Sequence, residues 1–357
     1  MISDLVRGDR VPDFQRPGLD DKPVLLYDLQ IGRPLLLLIV ENPGAPGARA
    51  IFAALNDSAA LEAAHCLRVV LLRARPEDCH AFAGGQATRV TLLADDGTVI
   101  RTLLGPASGA RSAVTALALD ANMRILERLE PAPDEDPEAF LGRLAAVYEQ
   151  QVAPPAQIRS QQAPLLFIPR VFEPALCAEL IDYFTQEGGK PSGTGIVDHG
   201  KIYWKLDPAV KMRTDVYLQA PVLLERVKEL LVRRVLPEIK RCFNYQVTQH
   251  EVFKLACYDA GTGGYFRPHR DNETPDTRHR RFAMTLNLNT GDYSGGQLRL
   301  PEFGPDLYQP GRGDAVIFSS SLLHEVVPVT AGKRYVLIGF FFGDEQHVAK
   351  FETVARG

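Results

Sequence analysis

YDAGTGGYFRPHRD, residues 258–271, is a glycine-rich turn that runs into an extended segment ending in His269-Arg270-Asp271. In an extended strand alternate residues face the same side. His269 and Asp271 therefore project together and Arg270 points away. A His-x-Asp alone arises often by chance, and it gains weight only from its partners downstream. His324 is the first of these, after enough chain for four short strands to bring it back opposite. Two neutral imidazoles and one carboxylate occupy one face of an octahedral Fe(II) and leave the other face open. Arg334 opens the last core strand. A fixed cation there can pair bidentately with the distal carboxylate of a ligand chelated to the metal, and Tyr258 can add a hydroxyl to the same carboxylate.

Outward from this stretch the pattern is one of short strands. Residues 252–258, 282–288, 297–300, 315–318 and 335–342 are apolar or alternate with period two, separated by Gly, Pro and Asp turns. Before them come two helical patterns, one opening at Glu173 with Pro174 just inside and one over 222–243. Helices followed by many strands predict helices packed on a β-sandwich or jelly roll. Residues 188–203, glycine-rich and poor in apolar side chains, are expected to be a loop able to close as a lid. Tyr203 at its end and Trp204 just after it are placed to pack on a substrate or in the core. His279 is expected in a solvated basic turn, His199 and His250 at the surface or in loops with His199 also a candidate for the lid, His347 as incidental near the end, Arg281 and Arg299 in surface pairs, and Cys257 in the core.

Residues 1–150 alternate differently. The runs 35–40, 67–72 and 88–93 are strand-like, and 50–64 and 136–150 have helical spacing. Asp95-Asp96-Gly97 is expected to turn a hairpin. This alternation predicts a three-layer α/β domain. The Pro-, Gln- and Ala-rich stretch near 150–164 suits a linker, which divides the chain into 1–152, a linker at 153–164, and 165–357.

The C-terminal part resembles the prolyl 4-hydroxylase type of 2-oxoglutarate/Fe(II)-dependent dioxygenase. The matching phrases are YDAGTGGYFRPHRD (258–271), RFAMTLNLN (281–289), DYSGGQLRLPEFG (292–304) and PGRGDAVIFSSSLLHEVVPVTAGKRYVL (310–337), in the family's order, with KMRTDVYL (211–218) a weaker match. The resemblance implies a double-stranded β-helix, iron held by His269, Asp271 and His324, and the 2-oxoglutarate carboxylate anchored by Arg334 with Tyr258 assisting. It also implies O2 as oxidant and ascorbate as reductant. Asn287 falls on a strand that lines the co-substrate pocket, at a place where the family often has an aromatic residue. The implied reaction is hydroxylation of a C–H bond on a prolyl or other protein side chain, or on a small amino-acid-like molecule, with release of succinate and CO2.

The opening GDRVPDF (8–14), LYDL (26–29) and the Asp-Asp-Gly turn resemble peroxiredoxin-type redoxins, which implies a thioredoxin-like fold. In that family a loop after the first core strand carries the peroxidatic cysteine. Here that loop is NPGAPGAR (42–49), with Ala48 about where the thiol would stand. Peroxide reduction needs a thiolate, so this domain is expected to serve as a scaffold for homodimerisation or substrate recruitment. Two other readings stay open: an oxygen or redox sensor with a secondary oxygenase site, and a thiol peroxidase using a relocated Cys79.

Composition narrows the classes further. Residues 1–150 carry 15 basic and 21 acidic side chains and the rest 25 and 23, so neither part is basic enough to require nucleic acid. No apolar run approaches the ~20 residues of a membrane span, and the first residues have no signal-peptide pattern. Five cysteines without CxxC spacing fit reduced, cytoplasmic thiols.

Overall fold

A computed structural model describes residues 5–29, 32–84, 89–105, 112–150, 158, 161–198, 201–344 and 353–354. The chain forms two compact units, 1–156 and 157–357.

Unit 1 is built on a five-stranded sheet in the order Thr91–Asp95, Leu67–Arg73, Leu35–Val40, Val114–Leu119, Ile125–Leu129. The first three strands are parallel and the last two antiparallel to their neighbours. Every residue of the central Leu35–Val40 is buried. Leu36, Leu38 and Val40 join one cluster with the helices Ala48–Asp57 and Pro137–Glu149, while Leu35, Leu37 and Ile39 join another with Thr98–Leu104. A strand covered on both faces is apolar throughout, and the result is three layers.

The Asp95-Asp96-Gly97 turn corrects the expected hairpin. It joins the strand Thr91–Asp95 to the helix Thr98–Leu104. The Asp95 carboxylate accepts from the backbone N–H groups of Gly97, Val99 and Ile100, which otherwise lack partners at a helix start. Helix wins because Val99, Ile100, Leu103 and Leu104 recur at helical spacing and bury one face on the sheet.

Unit 2 has two main sheets, beside the set Thr194–Asp198, Lys201–Lys205, Thr353–Val354 and the pair Ser294–Gly295, Val329–Ala331. The larger runs Leu166–Ile168, Ala315–Ser319, Phe282–Asn287, Lys333–Phe342, Lys254–Asp259, Thr214–Tyr217, Lys190–Pro191, with Gln249–His250 also paired to Lys333–Phe342. The smaller runs Lys211–Met212, Tyr265–His269, His324–Val326, Leu298–Arg299, Leu307–Tyr308. Lys333–Phe342 shows how the core divides. Tyr335, Leu337 and Phe341 pack with the helices Pro174–Glu187 and Pro221–Arg234, whereas Val336, Ile338 and Phe340 face the smaller sheet. The helix expected over 222–243 is two, Pro221–Arg234 and Leu236–Phe243. Pro237 sits at the break, where it has no N–H to give and its ring crowds the carbonyl four residues back.

Within the expected lid, Thr194–Asp198 pairs with Lys201–Lys205 as an antiparallel hairpin. His199, His347 and the side chains of Tyr203 and Trp204 lie outside the described residues. Among the described residues no helix is long and apolar enough to cross a membrane.

Candidate metal and co-substrate site

The turn that opens the site is shaped by close packing. Asp259 caps a single turn, Ala260–Thr262, through a 2.8 Å bond from the Gly261 N–H. A Cβ at Gly264 would stand 2.6 Å from the Asp259 nitrogen and 2.7 Å from the Tyr258 carbonyl carbon, so only glycine lets the chain double back there. The chain then enters Tyr265–His269, which pairs antiparallel with His324–Val326 in a register that sets His269 opposite His324.

Asp271 follows at the strand end, its N–H bonded to the Ser320 carbonyl at 2.9 Å. Its two carboxylate oxygens lie 3.5 Å from His269 Nε2 and 3.3 Å from His324 Nε2. One ligand atom from each of the three residues lies within 4.8 Å of the others. His269 Nδ1 meets the Arg267 carbonyl at 2.8 Å and His324 Nδ1 meets the Leu322 carbonyl at 2.9 Å. These carbonyls hold the ring proton on Nδ1 and turn each Nε2 lone pair inward, the arrangement a metal-binding imidazole needs.

The electrostatics agree with a cation site. Burial favours neutral His269 and lowers its pKa. Burial opposes charge on Asp271 as well, but the two imidazoles outweigh it and hold the carboxyl well below the usual range. For His324 burial is likewise outweighed, here by Asp271, and its pKa rises.

Arg334 is 3% exposed. It lies opposite Tyr258 across the sheet, its guanidinium 5.3 Å over the Tyr258 ring. Arg334 Nη2 donates to Asn287 Oδ1 at 3.1 Å and to Thr285 Oγ1 at 3.3 Å, and Nε is buried with no partner. The Tyr258 hydroxyl accepts from Arg213 Nη1 at 3.1 Å, which leaves its own proton to donate. Asn287 is 1% exposed; its amide nitrogen is held by Thr290, Tyr293 and the Pro310 carbonyl, so its oxygen is turned toward Arg334. Arg334, Thr285, Tyr258 and Arg213 line one cavity of about 250 Å³ together with His269, Asp271 and His324.

Several site features escaped the sequence. Phe266 stacks on His269 with ring centres 3.4 Å apart. Arg213 is buried beside the cavity and paired with Asp215 at 2.7 Å; its segment, 211–218, already stood out by resemblance. His279 is the plainest correction: it is 5% exposed rather than solvated, 2.9 Å from Glu251. Glu251 also holds Arg280, whose Nη1 donates to the Asp271 carbonyl at 3.0 Å. A carboxylate 28 residues away in sequence drew this basic run inward, and no local pattern announces such a pairing. Arg299 pairs with Glu325 outside the cavity lining.

Residues 253–342 match the family model described as the 2OG-Fe(II) oxygenase superfamily, so the C-terminal unit carries such a domain. A PKHD-type hydroxylase of Maricaulis maris (strain MCS10) is 35% identical over 82 residues, 22% of this chain and 36% of that protein. A PKHD-type hydroxylase of Acaryochloris marina (strain MBIC 11017) is 31% identical over 120 residues, 33% of this chain and 52% of that protein. The chain thus spans about a third to a half of the length of these relatives. Among solved structures, a prolyl-4-hydroxylase from Pseudomonas putida is similar at 20% identity and a TM-score of 0.37, covering 50% of this chain and 92% of its own. A peroxidoxin from Mycobacterium tuberculosis is similar at 20% identity and a TM-score of 0.37, covering 42% of this chain and 99% of its own.

Proposed function

We propose that this chain is an Fe(II)- and 2-oxoglutarate-dependent dioxygenase that hydroxylates a C–H bond and releases succinate and CO2. The target is a prolyl or other protein side chain, or a small amino-acid-like molecule. We infer that the two facing sheets of unit 2 are a double-stranded β-helix, and that 1–152 is a thioredoxin-like domain without the peroxidatic cysteine, joined through 153–164 to 165–357. The protein acts in the cytoplasm, with ascorbate as a reductant and a homodimer formed through the first domain.

One observation carries this reading: a two-His, one-carboxylate set shares one cavity with a buried guanidinium that has no carboxylate of its own. His269 and His324 would hold iron through Nε2 and Asp271 through its carboxylate. When bound, the iron supplies Lewis acidity and oxygen chemistry at its open face. The protein's own work is positional. Arg334 takes the far carboxylate of 2-oxoglutarate, Asn287 and Thr285 fix its rotamer, and Tyr258 supports its face and offers a hydroxyl proton. Phe266 packs on His269 and keeps water from that side of the ligand set.

The test is succinate formation by the full chain with Fe(II) and 2-oxoglutarate, read beside a mass-spectrometric screen for peptides and metabolites that gain one oxygen. His269→Ala should abolish both signals. Turnover retained by His269→Ala would remove the iron assignment.

A further inference from the structure

Lys211 sits on the short strand Lys211–Met212, directly opposite Phe266 of Tyr265–His269. Its ammonium lies 4.9 Å over the Phe266 ring, on which His269 stacks at 3.4 Å. The side chain is 8% exposed and lines the cavity that holds His269, Asp271, His324 and Arg334. An ammonium has three donors. Among the described residues Lys211 uses one, on the Gly193 carbonyl at 2.6 Å.

Of the other cations of the lining, Arg213, Arg280 and Arg270 have counter-ions, while the Lys254 ammonium lies 5.6 Å over the Tyr217 ring without an ion pair among the described residues. Arg213 is ion-paired with Asp215, its Nε 2.7 Å from Oδ1 and its Nη2 donating to Oδ2 at 2.8 Å. Arg280 is held by both oxygens of Glu251. Arg270, at the mouth, pairs with Glu302 at 2.6 Å. Arg334 faces the 2-oxoglutarate carboxylate under the proposed function. Lys211 has no carboxylate within ion-pair distance among the described residues. Glu273 and Asp276, the acids of the segment after Asp271, line the cavity but do not reach it. A buried charge without a counter-ion is costly. Burial, with the Arg213 charge next in weight, pushes the Lys211 pKa down to about 7.

We infer that Lys211 is the docking point for a carboxylate carried by the substrate, beside the iron ligands and separate from the carboxylate site at Arg334. The inference rests on the proposed function for calling the second occupant of the cavity a substrate. The carboxylate supplies the missing counter-ion and takes the two spare donors, as a charge-assisted contact worth roughly twice a neutral one. An amide in its place leaves the ammonium uncompensated. Two sources carry this group: an acidic side chain of a peptide, and the free carboxylate of a small amino-acid-like molecule.

The experiment measures binding by calorimetry to the full chain loaded with Mn(II) and 2-oxoglutarate, using acid and amide pairs. These are N-acetyl-proline with N-acetyl-prolinamide, N-acetyl-glutamate with N-acetyl-glutamine, and an end-blocked Ala-Pro-Glu-Ala peptide with its Gln counterpart. In at least one pair the acid should bind on the order of tenfold tighter, which corresponds to about 1.4 kcal/mol. Lys211→Met should erase that preference and Lys211→Arg should keep it. The ratio within each variant is the readout, so a general loss of binding cancels. If Lys211→Met does not fold, Lys211→Gln replaces it. Preference in a small-molecule pair or in the peptide pair identifies the source. No acid preference in any pair, or a preference that survives loss of the ammonium, overturns the inference. Succinate formation by the Fe(II)-loaded protein separates the two readings: succinate without acid preference sinks only the Lys211 site, and acid preference without succinate sinks only the proposed chemistry.

Discussion

Arg16 in unit 1 and Arg334 in unit 2 are both arginines at a sheet beside a cavity, and they are provided for in opposite ways. Arg16 Nε meets the buried Asp95 carboxylate at 2.6 Å, and Asp95 spends its remaining capacity capping a helix. Arg334 is more deeply buried, meets only neutral oxygens, and keeps Nε unpartnered. A paired charge closes a structure, whereas an uncompensated one asks for a ligand, because leaving it buried costs several kcal/mol. The same contrast holds for nucleophiles. Unit 1 keeps Cys66 and Cys79 buried, and Ala48, 1% exposed, begins a helix. The polar groups of unit 2 converge on open space instead.

The sharpest way to break the comparison is to remove the guanidinium. Arg334→Met should weaken 2-oxoglutarate by about 2–5 kcal/mol, roughly thirtyfold or more in apparent affinity. Titration of the Mn(II)-loaded protein with 2-oxoglutarate reads this directly. Affinity within threefold of the parent would make Arg334 a structural arginine like Arg16 and move the anchor elsewhere.

A smaller effect should come from the space Arg334 needs. Gly296 has φ +68°, and a Cβ there would stand 2.9 Å from Arg334 Cδ and 2.8 Å from Val329 Cγ2. Gly296→Ala combines backbone strain with a push on the guanidinium stem, and should cost about 1–3 kcal/mol of stability. The 2-oxoglutarate affinity should fall by roughly tenfold, the equivalent of ~1.4 kcal/mol. A thermal-unfolding curve and the same titration separate the two. Loss of stability with unchanged affinity would show that the glycine serves the turn alone.

What the sequence reveals depends on how local each interaction is. Leu35–Val40 and Pro137–Glu149 are legible because period and capping act within a few residues. His269 and Asp271 are legible because they stand two residues apart where a strand ends, and Arg334 because it opens a long apolar strand. The Asp95 turn misleads because hairpin and helix start share the same Asp-Gly chemistry, and only burial of the residues after it decides between them. Lys211, Phe266 and the Glu251–Arg280 pair stay hidden because their partners come from distant strands whose register no short window contains.

The smallest effect tests the closed side of the comparison. Burial pushes the Cys66 and Cys79 thiols up to about 11 and Cys177 up to about 12, and raises Cys257 as well. A thiol with a raised pKa stays protonated as long as the pH is well below that value, and the protonated form is neither nucleophile nor peroxide reductant. Cys242 is exposed and the other four are buried. Native protein near neutral pH should therefore take up one equivalent of iodoacetamide, at Cys242, with the remaining thiols reacting after denaturation. Peptide mapping checks the site, and Cys79→Ser should leave peroxide consumption unchanged. Rapid native labelling of Cys79, with loss of peroxide consumption in the serine variant, would mean that unit 1 holds an uncommitted nucleophile after all. The contrast between a closed unit 1 and an open unit 2 would then fail at its first term.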